Sequence, residues 1–344
     1  MFLGQARRIT RNFLRNRYGF NFKEARLNQY QEQFAYGHRE VLLDYSNQPR
    51  NIVFKAILAH GKILPHSLDP IIPAFDILDG KEISQLLWRD DALEDAKLAG
   101  VTSAFAIGAP FLYVLSNLGQ TISQTRSNIV DLSNYLCLSP KMKINDIANS
   151  KKVTYFPLHS WEGDVNQHSI SSKFLLKELD PKRVRVCLGF LDYCDPAVRK
   201  VYEQFGWETV CAGVRDSMII GSPAGGRERF LYSLAEIISD ADFVIANEFT
   251  TALFYAAALG KKIAIIESPE LQSLSFSTWN DNGSFNSLIG GPKKLYPWLI
   301  DGDCNADQIS RDIHTALGVH SFKEPSFFQT QVDKIEFNAQ RNIW

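Results

Sequence analysis

Cysteine is scarce, with five residues in 344: Cys137, Cys187, Cys194, Cys211 and Cys304. The number is odd, the positions are scattered and no pair has CxxC spacing. Neither a disulfide framework nor a zinc site is signalled, and a reducing compartment is expected. No run of eighteen or more apolar residues occurs, so no transmembrane helix is expected. Several catalytic signatures are missing as well. Without GxGxxG at a strand–helix turn a nicotinamide dehydrogenase is not expected, and without GxxxxGK[ST] neither is ATP hydrolysis through that loop. No GxSxG elbow marks a hydrolase nucleophile and no HExxH marks a zinc enzyme. Asp90-Asp91 is a poor substitute for a DxD metal–diphosphate motif, so no metal is expected. Charge of one sign is lacking too: 37 Lys and Arg stand against 38 Asp and Glu. A dedicated nucleic-acid binder would carry a basic domain, so nucleic acid is not an expected partner.

What remains is ordinary globular composition, 45% hydrophobic and 22% charged. At roughly 100–200 residues per domain the length suggests two domains with ample core. The N-terminus interleaves Arg7, Arg8, Arg11, Arg15 and Arg17 with Phe2, Leu3, Ile9, Phe13, Leu14 and Phe20. It has no unbroken apolar core of the signal-peptide kind. The pattern suits a basic amphipathic helix, either on an anionic membrane surface or packed on the domain with a solvated arginine face.

Along the chain, strands and helices alternate. In the first half, 51–58 reads as a buried strand, 91–99 as a helix closed by Gly100, and 101–107 as a strand ending at Gly108-Ala109-Pro110. A polar, basic stretch over 139–152 reads as a linker. In the second half, strands are expected at 153–156, 184–190, 207–212, 243–246 and 263–266. Helices are expected around 172–179, after an Asp195 cap with Pro196 in the first turn and Gly206 at the end, over 230–238, and over 250–259 before Gly260. Such alternation implies a parallel sheet with helices on both faces. The expected fold class is α/β, GT-B-like, with two Rossmann-like domains facing across a cleft: residues 1–145, residues 146–320, and a tail, 321–344, packing back on the first domain.

In such sheets ligands bind beyond the carboxyl ends of the strands. That rule selects His60-Gly61, Gly108-Ala109-Pro110, Pro157 to Ser160, Asp192-Tyr193, Gly213, and Asn247 to Thr251. The last is the best candidate. A strand delivers the chain to a helix start lined by Thr250 and Thr251, where free N–H groups and the helix dipole favour a diphosphate. Asn247 or Thr250 could equally cap the helix, because capping and phosphate binding use the same groups. Glu248 would have to point away from phosphate or bind a ribose or sugar hydroxyl. Pro157 breaks the preceding strand and presents His159 and Ser160, and an imidazole there could stabilise a leaving group. Glu162 and Asp164 follow as a possible base or as plain loop carboxylates. His60, with Lys62 and His66, forms a second donor-rich loop. Arg227 and Arg229 could clamp a phosphate with paired planar donors, or be solvated.

The segment DFVIANEFTTALFYAAALGKKIAII resembles the strand–polar loop–helix–Gly–Lys–strand block of bacterial surface-polysaccharide (capsule and O-antigen) glycosyltransferases of the GT-B type. The layout is shared by polysialyltransferase-like and glycerophosphotransferase-like enzymes. VTYFPLHS is similar to the opening strand of their second domain, WRDDALEDAKLAGVTSAFAIGAPFLY to the stretch closing their first, and ILAHG to their early strand. Asn-Glu-Phe-Thr-Thr stands where the glycerophosphotransferases have Asp-Tyr-Ser-Ser, and the acidic base motif of bacterial sialyltransferases is missing. The resemblance implies sugar transfer from a nucleotide-sugar donor, used as co-substrate with no other cofactor, to a glycan or lipid-linked acceptor on the cytoplasmic side of the cell membrane. It further implies metal-independent stabilisation of the departing phosphate, a base drawn from Glu162, Asp164 and His60, and a ribose contact from Glu267. A two-domain nucleotide-sugar epimerase and a non-catalytic nucleotide-sugar-binding subunit are the alternatives.

Overall fold

The computed structural model describes residues 36–50, 52–54, 56–58, 84–98, 103–138, 147, 149–157, 165, 168–169, 179–214, 229–247, 250–265, 296, 298 and 305–333. The basic N-terminus, most of the expected linker and nearly all of the helix expected at 172–179 lie outside them.

The first half contributes helix α1 (His38–Tyr45), strands β1 (Val53–Phe54), β2 (Ala56–Leu58) and β3 (Ser84–Leu87), helix α2 (Ala92–Leu98), strand β4 (Ala104–Ala106), and helices α3 (Pro110–Asn117) and α4 (Ile122–Leu138). Strands β2, β3 and β4 pair side by side in parallel. The second half contributes β5 (Val153–Phe156), β6 (Val184–Cys187), α5 (Phe190–Cys194), α6 (Pro196–Glu203), β7 (Glu208–Val210), α7 (Phe230–Ser239), β8 (Phe243–Ala246), α8 (Thr251–Ala258) and β9 (Lys262–Ile265). Its five strands form one all-parallel sheet in the order β7-β6-β5-β8-β9. The molecule is therefore an α/β protein with a Rossmann-like parallel sheet, as the alternating pattern implies.

The period-2 geometry of a strand is visible in how this sheet divides its side chains. Val153 and Tyr155 of β5, with Phe243 and Ile245 of β8, face one apolar cluster that includes Val198, Val201 and Tyr202 of α6. Phe156, Val244 and Ala246 face a second cluster that includes Leu253, Ala256 and Ala257 of α8. Both faces are covered, so the central strands β5 and β8 are buried along their whole length, whereas the edge strand β7 begins with exposed Glu208.

Helix α6 starts as its sequence requires: the Asp195 carboxylate accepts from the Ala197 amide at 2.9 Å and Pro196 occupies the first turn. Strand β6 stops at Cys187, shorter than the apolar run suggests, because the chain turns into α5 at Phe190. Cys187 is buried and acts as a small apolar side chain. Helix α8 is apolar all round, and every residue from Ala252 to Ala258 is buried, because it lies between the sheet and helices of the first half. Side chains from the first half close its carboxyl end: Gln120 and Asn128 both donate to the Ala258 carbonyl, at 2.9 and 3.0 Å. One apolar cluster consequently runs through both halves, from Leu86 and Phe111 to Leu253 and Ile313.

The C-terminal segment crosses between the halves. Helix α9 (Ala306–Leu317) is capped by Asn305, whose side chain accepts from Asp307 N at 2.9 Å, and buries Ile309, Ile313, Ala316 and Leu317. At its end Gly318 adopts φ +60°, and a Cβ there would stand 1.8 Å from the Trp88 carbonyl oxygen. Only glycine fits between these backbones. Helix α10 (Pro325–Gln331) then lays Phe328 among Tyr113, Phe54 and Tyr45, at ring distances of 5.2, 6.1 and 6.1 Å. Strand β10 (Val332–Asp333) pairs antiparallel with β1.

Candidate functional site

From β5 the chain steps through β6 to β7 on one side; β8 and β9 lie on the other. The winding direction therefore reverses between β5 and β8, which are paired as far as Phe156 opposite Ala246. At such a reversal the two connections leave in opposite directions and open a crevice beyond the carboxyl ends, where ligands of this fold class bind. Pro157 and Asn247 are the first residues past those ends.

On the β8 side the chain reaches α8 through Thr250, which is extended at φ −135° and ψ 147°. Its hydroxyl accepts from the Ala252 amide at 3.4 Å and its carbonyl accepts from Leu253 N at 3.1 Å. Thr250 is thus the helix cap, and Thr251, half-buried, is the first helical residue. Of the sequence candidates, Asn247, Thr250 and Thr251 are brought to this crevice. His60, His159, Ser160, Glu162, Asp164, Arg227, Glu248 and Glu267 lie outside the described residues.

The carboxyl edge of the first sheet also reaches α8. The Trp88 ring, one residue past β3, lies 6.3 Å from that of Tyr255, which stacks on Phe111 at 4.1 Å. Next to Trp88, buried Arg89 is paired with Asp91 through its Nε at 2.7 Å. The strand-end segment Gly108-Ala109-Pro110 has a different use. Gly108 N donates to Trp88 O at 3.0 Å and Ala109 N to Leu317 O at 2.8 Å. The carbonyl end of α9 thereby meets the start of α3, and the Ala109 amide there is already engaged by protein.

Farther from the reversal, the structure brings together residues that do not announce themselves in sequence. His168 is buried with its Nδ1 2.8 Å from the Tyr202 hydroxyl and its Nε2 3.4 Å from Asp192 Oδ2. Asp192 was selected only as a residue following a strand, and His168 and Tyr202 stand 34 residues apart. The amphipathic spacing of α6 marks Tyr202 as core but carries no signal for its partner. Two thiols near this region, Cys187 and Cys211, are not poised for chemistry. Burial pushes Cys187 well above its ordinary value, and burial together with Cys194 and Asp192 pushes Cys211 up to about 11. Both stay protonated and weakly nucleophilic at neutral pH.

No protein-family model matches this chain, and no curated protein matches it significantly.

Among the described residues no group of three or more His, Cys, Asp or Glu side chains is arranged to hold a metal ion, and no helix is long and apolar enough to cross a membrane.

Proposed function

We propose that the protein is a glycosyltransferase of the two-domain GT-B type that transfers a sugar from a nucleotide-sugar donor to a glycan or lipid-linked acceptor. The observation that carries this reading is the reversal between β5 and β8, with the Thr250-capped start of α8 at its mouth. A helix start at a winding reversal is where this fold class receives a nucleotide's phosphates. The donor diphosphate lies between the α8 start and the connection leaving β5, which carries His159 and Ser160. The likeness of these two segments to polysaccharide glycosyltransferases extends nucleotide binding to sugar transfer. His159 then stabilises the leaving phosphate, and Glu162, Asp164 or His60 takes the acceptor proton.

The test begins with thermal shift against UDP, CMP, GDP and CDP. A nucleotide at a hundred times its dissociation constant adds about 2.7 kcal/mol of stability. Thr250→Val removes the hydroxyl at the helix start. It is expected to cost about 0.5–2 kcal/mol of stability and to weaken nucleotide binding. If none of the four nucleotides raises the melting temperature, or if Thr250→Val binds as tightly as wild type, the site is elsewhere.

The arginine-rich start reads as a peripheral anchor to the inner face of the cell membrane, beside a lipid-linked acceptor. Co-sedimentation with anionic vesicles should weaken as salt rises. Equal sedimentation after deletion of residues 1–20 would remove this part of the reading.

A further inference from the structure

Helix α8 is gripped from the first half at both of its ends. At the carboxyl end, Gly260 takes φ +71° and turns the chain back. Its amide donates to the Ala257 carbonyl and that of Lys261 to the Ala256 carbonyl, both at 2.9 Å. This ending does not serve the carbonyl of Ala258, the last helical residue. The side-chain amides of Gln120, just before α4, and Asn128, within it, donate to that oxygen instead. Gln120 is itself fixed, because the same nitrogen donates to the Thr125 hydroxyl at 2.8 Å.

Near the other end, Tyr255 stands one turn beyond Thr251 and lies flat on Phe111 of α3, at 4.1 Å and 7°. The connection from β4 to α3 is only Ile107, Gly108 and Ala109, so this stack ties the first sheet to α8 with little slack. Between the two ends, Leu253, Ala256 and Ala257 share one cluster with Ile129 and Leu132 of α4. Beside α8, the Tyr232 hydroxyl of α7 bridges Asn117 of α3 and Asp44 of α1.

A hinge between the sheets would have to cut through this packing. Opening it would uncover the apolar flank of α8 and strip the Ala258 carbonyl of its donors. Domains that move on one another meet across modest and rather polar surfaces, and a large apolar boundary removes that freedom. Close-packed interiors also transmit displacement instead of absorbing it. We infer that the two parallel sheets form one rigid body with α8 as their shared helix, so that the crevice at the winding reversal is loaded without closure of one half on the other. The loading of the crevice rests on the nucleotide-site reading above; the single body does not.

Urea unfolding of the full-length protein, followed segment by segment through hydrogen exchange, tests this. Peptides covering β3 and β4 of the first sheet and those covering β5 and β6 of the second should lose protection at one midpoint. Val244→Ala thins the core behind β8, on the second sheet alone. It should lower the midpoints of both sheets by the same amount. If Val244→Ala does not fold, Ile263→Val, which removes one methylene from β9, is read in the same way. Two midpoints in the wild type, or a fall confined to the second sheet, overturn the inference. Gln120→Ala combined with Asn128→Ala strands the Ala258 carbonyl and should lower both midpoints together; a fall in one sheet only, or none, removes α8 from its shared role. With UDP, or whichever of the four nucleotides shifts the wild type, small-angle scattering should superimpose on that of the free protein and both midpoints should rise alike. Compaction on binding overturns loading without closure. If no nucleotide binds, the nucleotide reading fails on its own, and the midpoints of the free protein still decide whether the sheets are one body.

Discussion

His314 shows how one side chain can link stability to acidity. It sits on α9 with its ring 5.7 Å from that of His320 and its Nδ1 3.4 Å from the Ser310 hydroxyl. Burial, and after it the neighbouring His320 and Arg126, lower its pKa from 6.5 to about 4. The folded protein therefore holds this imidazole neutral where the unfolded chain would protonate it. Its contribution is fully present above about pH 6.5 and is lost as pH falls from there towards 4, with a slope of at most about 1.4 kcal/mol per pH unit for one proton. His314→Gln cannot take up that proton. Its melting temperature should change less between pH 7 and pH 4.5 than the wild type's, as followed by circular dichroism. Identical pH profiles would mean that other groups dominate acid sensitivity. Little of this is legible in sequence. His314 occupies a helical position like any other, and only the fold brings Arg126 of α4 and His320 beside it.

At the scale of elements, legibility followed burial on both sides. Strands β5 and β8 are expected and found at the same residues, because a strand buried on both faces is a continuous apolar run bounded by breakers. Helix α6 is just as readable, since Asp195, Pro196 and the spacing of Val198, Val201 and Tyr202 agree with one another. Helix α4 is not legible in the sequence. Ile129, Leu132 and Leu136 do mark its buried face, but Ser, Thr and Asn dilute the pattern and are modest helix formers. Strand β3 is not legible either, because four residues give too short a period and Gln85 sits buried within it. Helix α9 ends in a contact that no local pattern encodes. A side chain at Gly318 would collide with Trp88 and crowd Gly108, whose α-carbon would lie 3.0 Å from the new Cβ. Gly318→Ala should cost about 3 kcal/mol or more through overpacking, measurable as a lower urea midpoint. A loss of under 1 kcal/mol would show that the backbones part easily at this crossing.

Across the whole molecule, the halves are joined by more than apolar packing. Asn117 of α3 donates to the Tyr232 hydroxyl on α7 at 2.7 Å, and that hydroxyl donates to Asp44 of α1 at 3.2 Å. The Lys262 ammonium of β9 lies 4.4 Å from the centre of the Tyr135 ring on α4. The candidate site was legible in part. The rule of carboxyl-end connections selected Asn247, Thr250 and Thr251, and the strand order puts them at the winding reversal. The reversal itself was not legible, because strand order is a property of pairing between distant segments. The buried grouping of His168, Asp192 and Tyr202 escaped for the same reason.

The pairing of β10 with β1, and the seating of Phe328 against Phe54 and Tyr113, have a consequence for how the protein is made. Chains are synthesised from the N-terminus at about 5–20 residues per second, and early domains ordinarily fold as they emerge. Here the first strand of the described residues waits for Val332–Asp333, almost 280 residues later. Until Pro325–Asp333 leaves the ribosome, Phe54 and Tyr113 lack the partner that covers them, and this apolar surface stays open to chaperones or to neighbouring nascent chains. Ribosome-bound chains stalled before Pro325 should therefore be cut readily by protease within α1 and α3, whereas released full-length chains should resist. Equal resistance of the two would mean that the first half completes itself without its C-terminal strand.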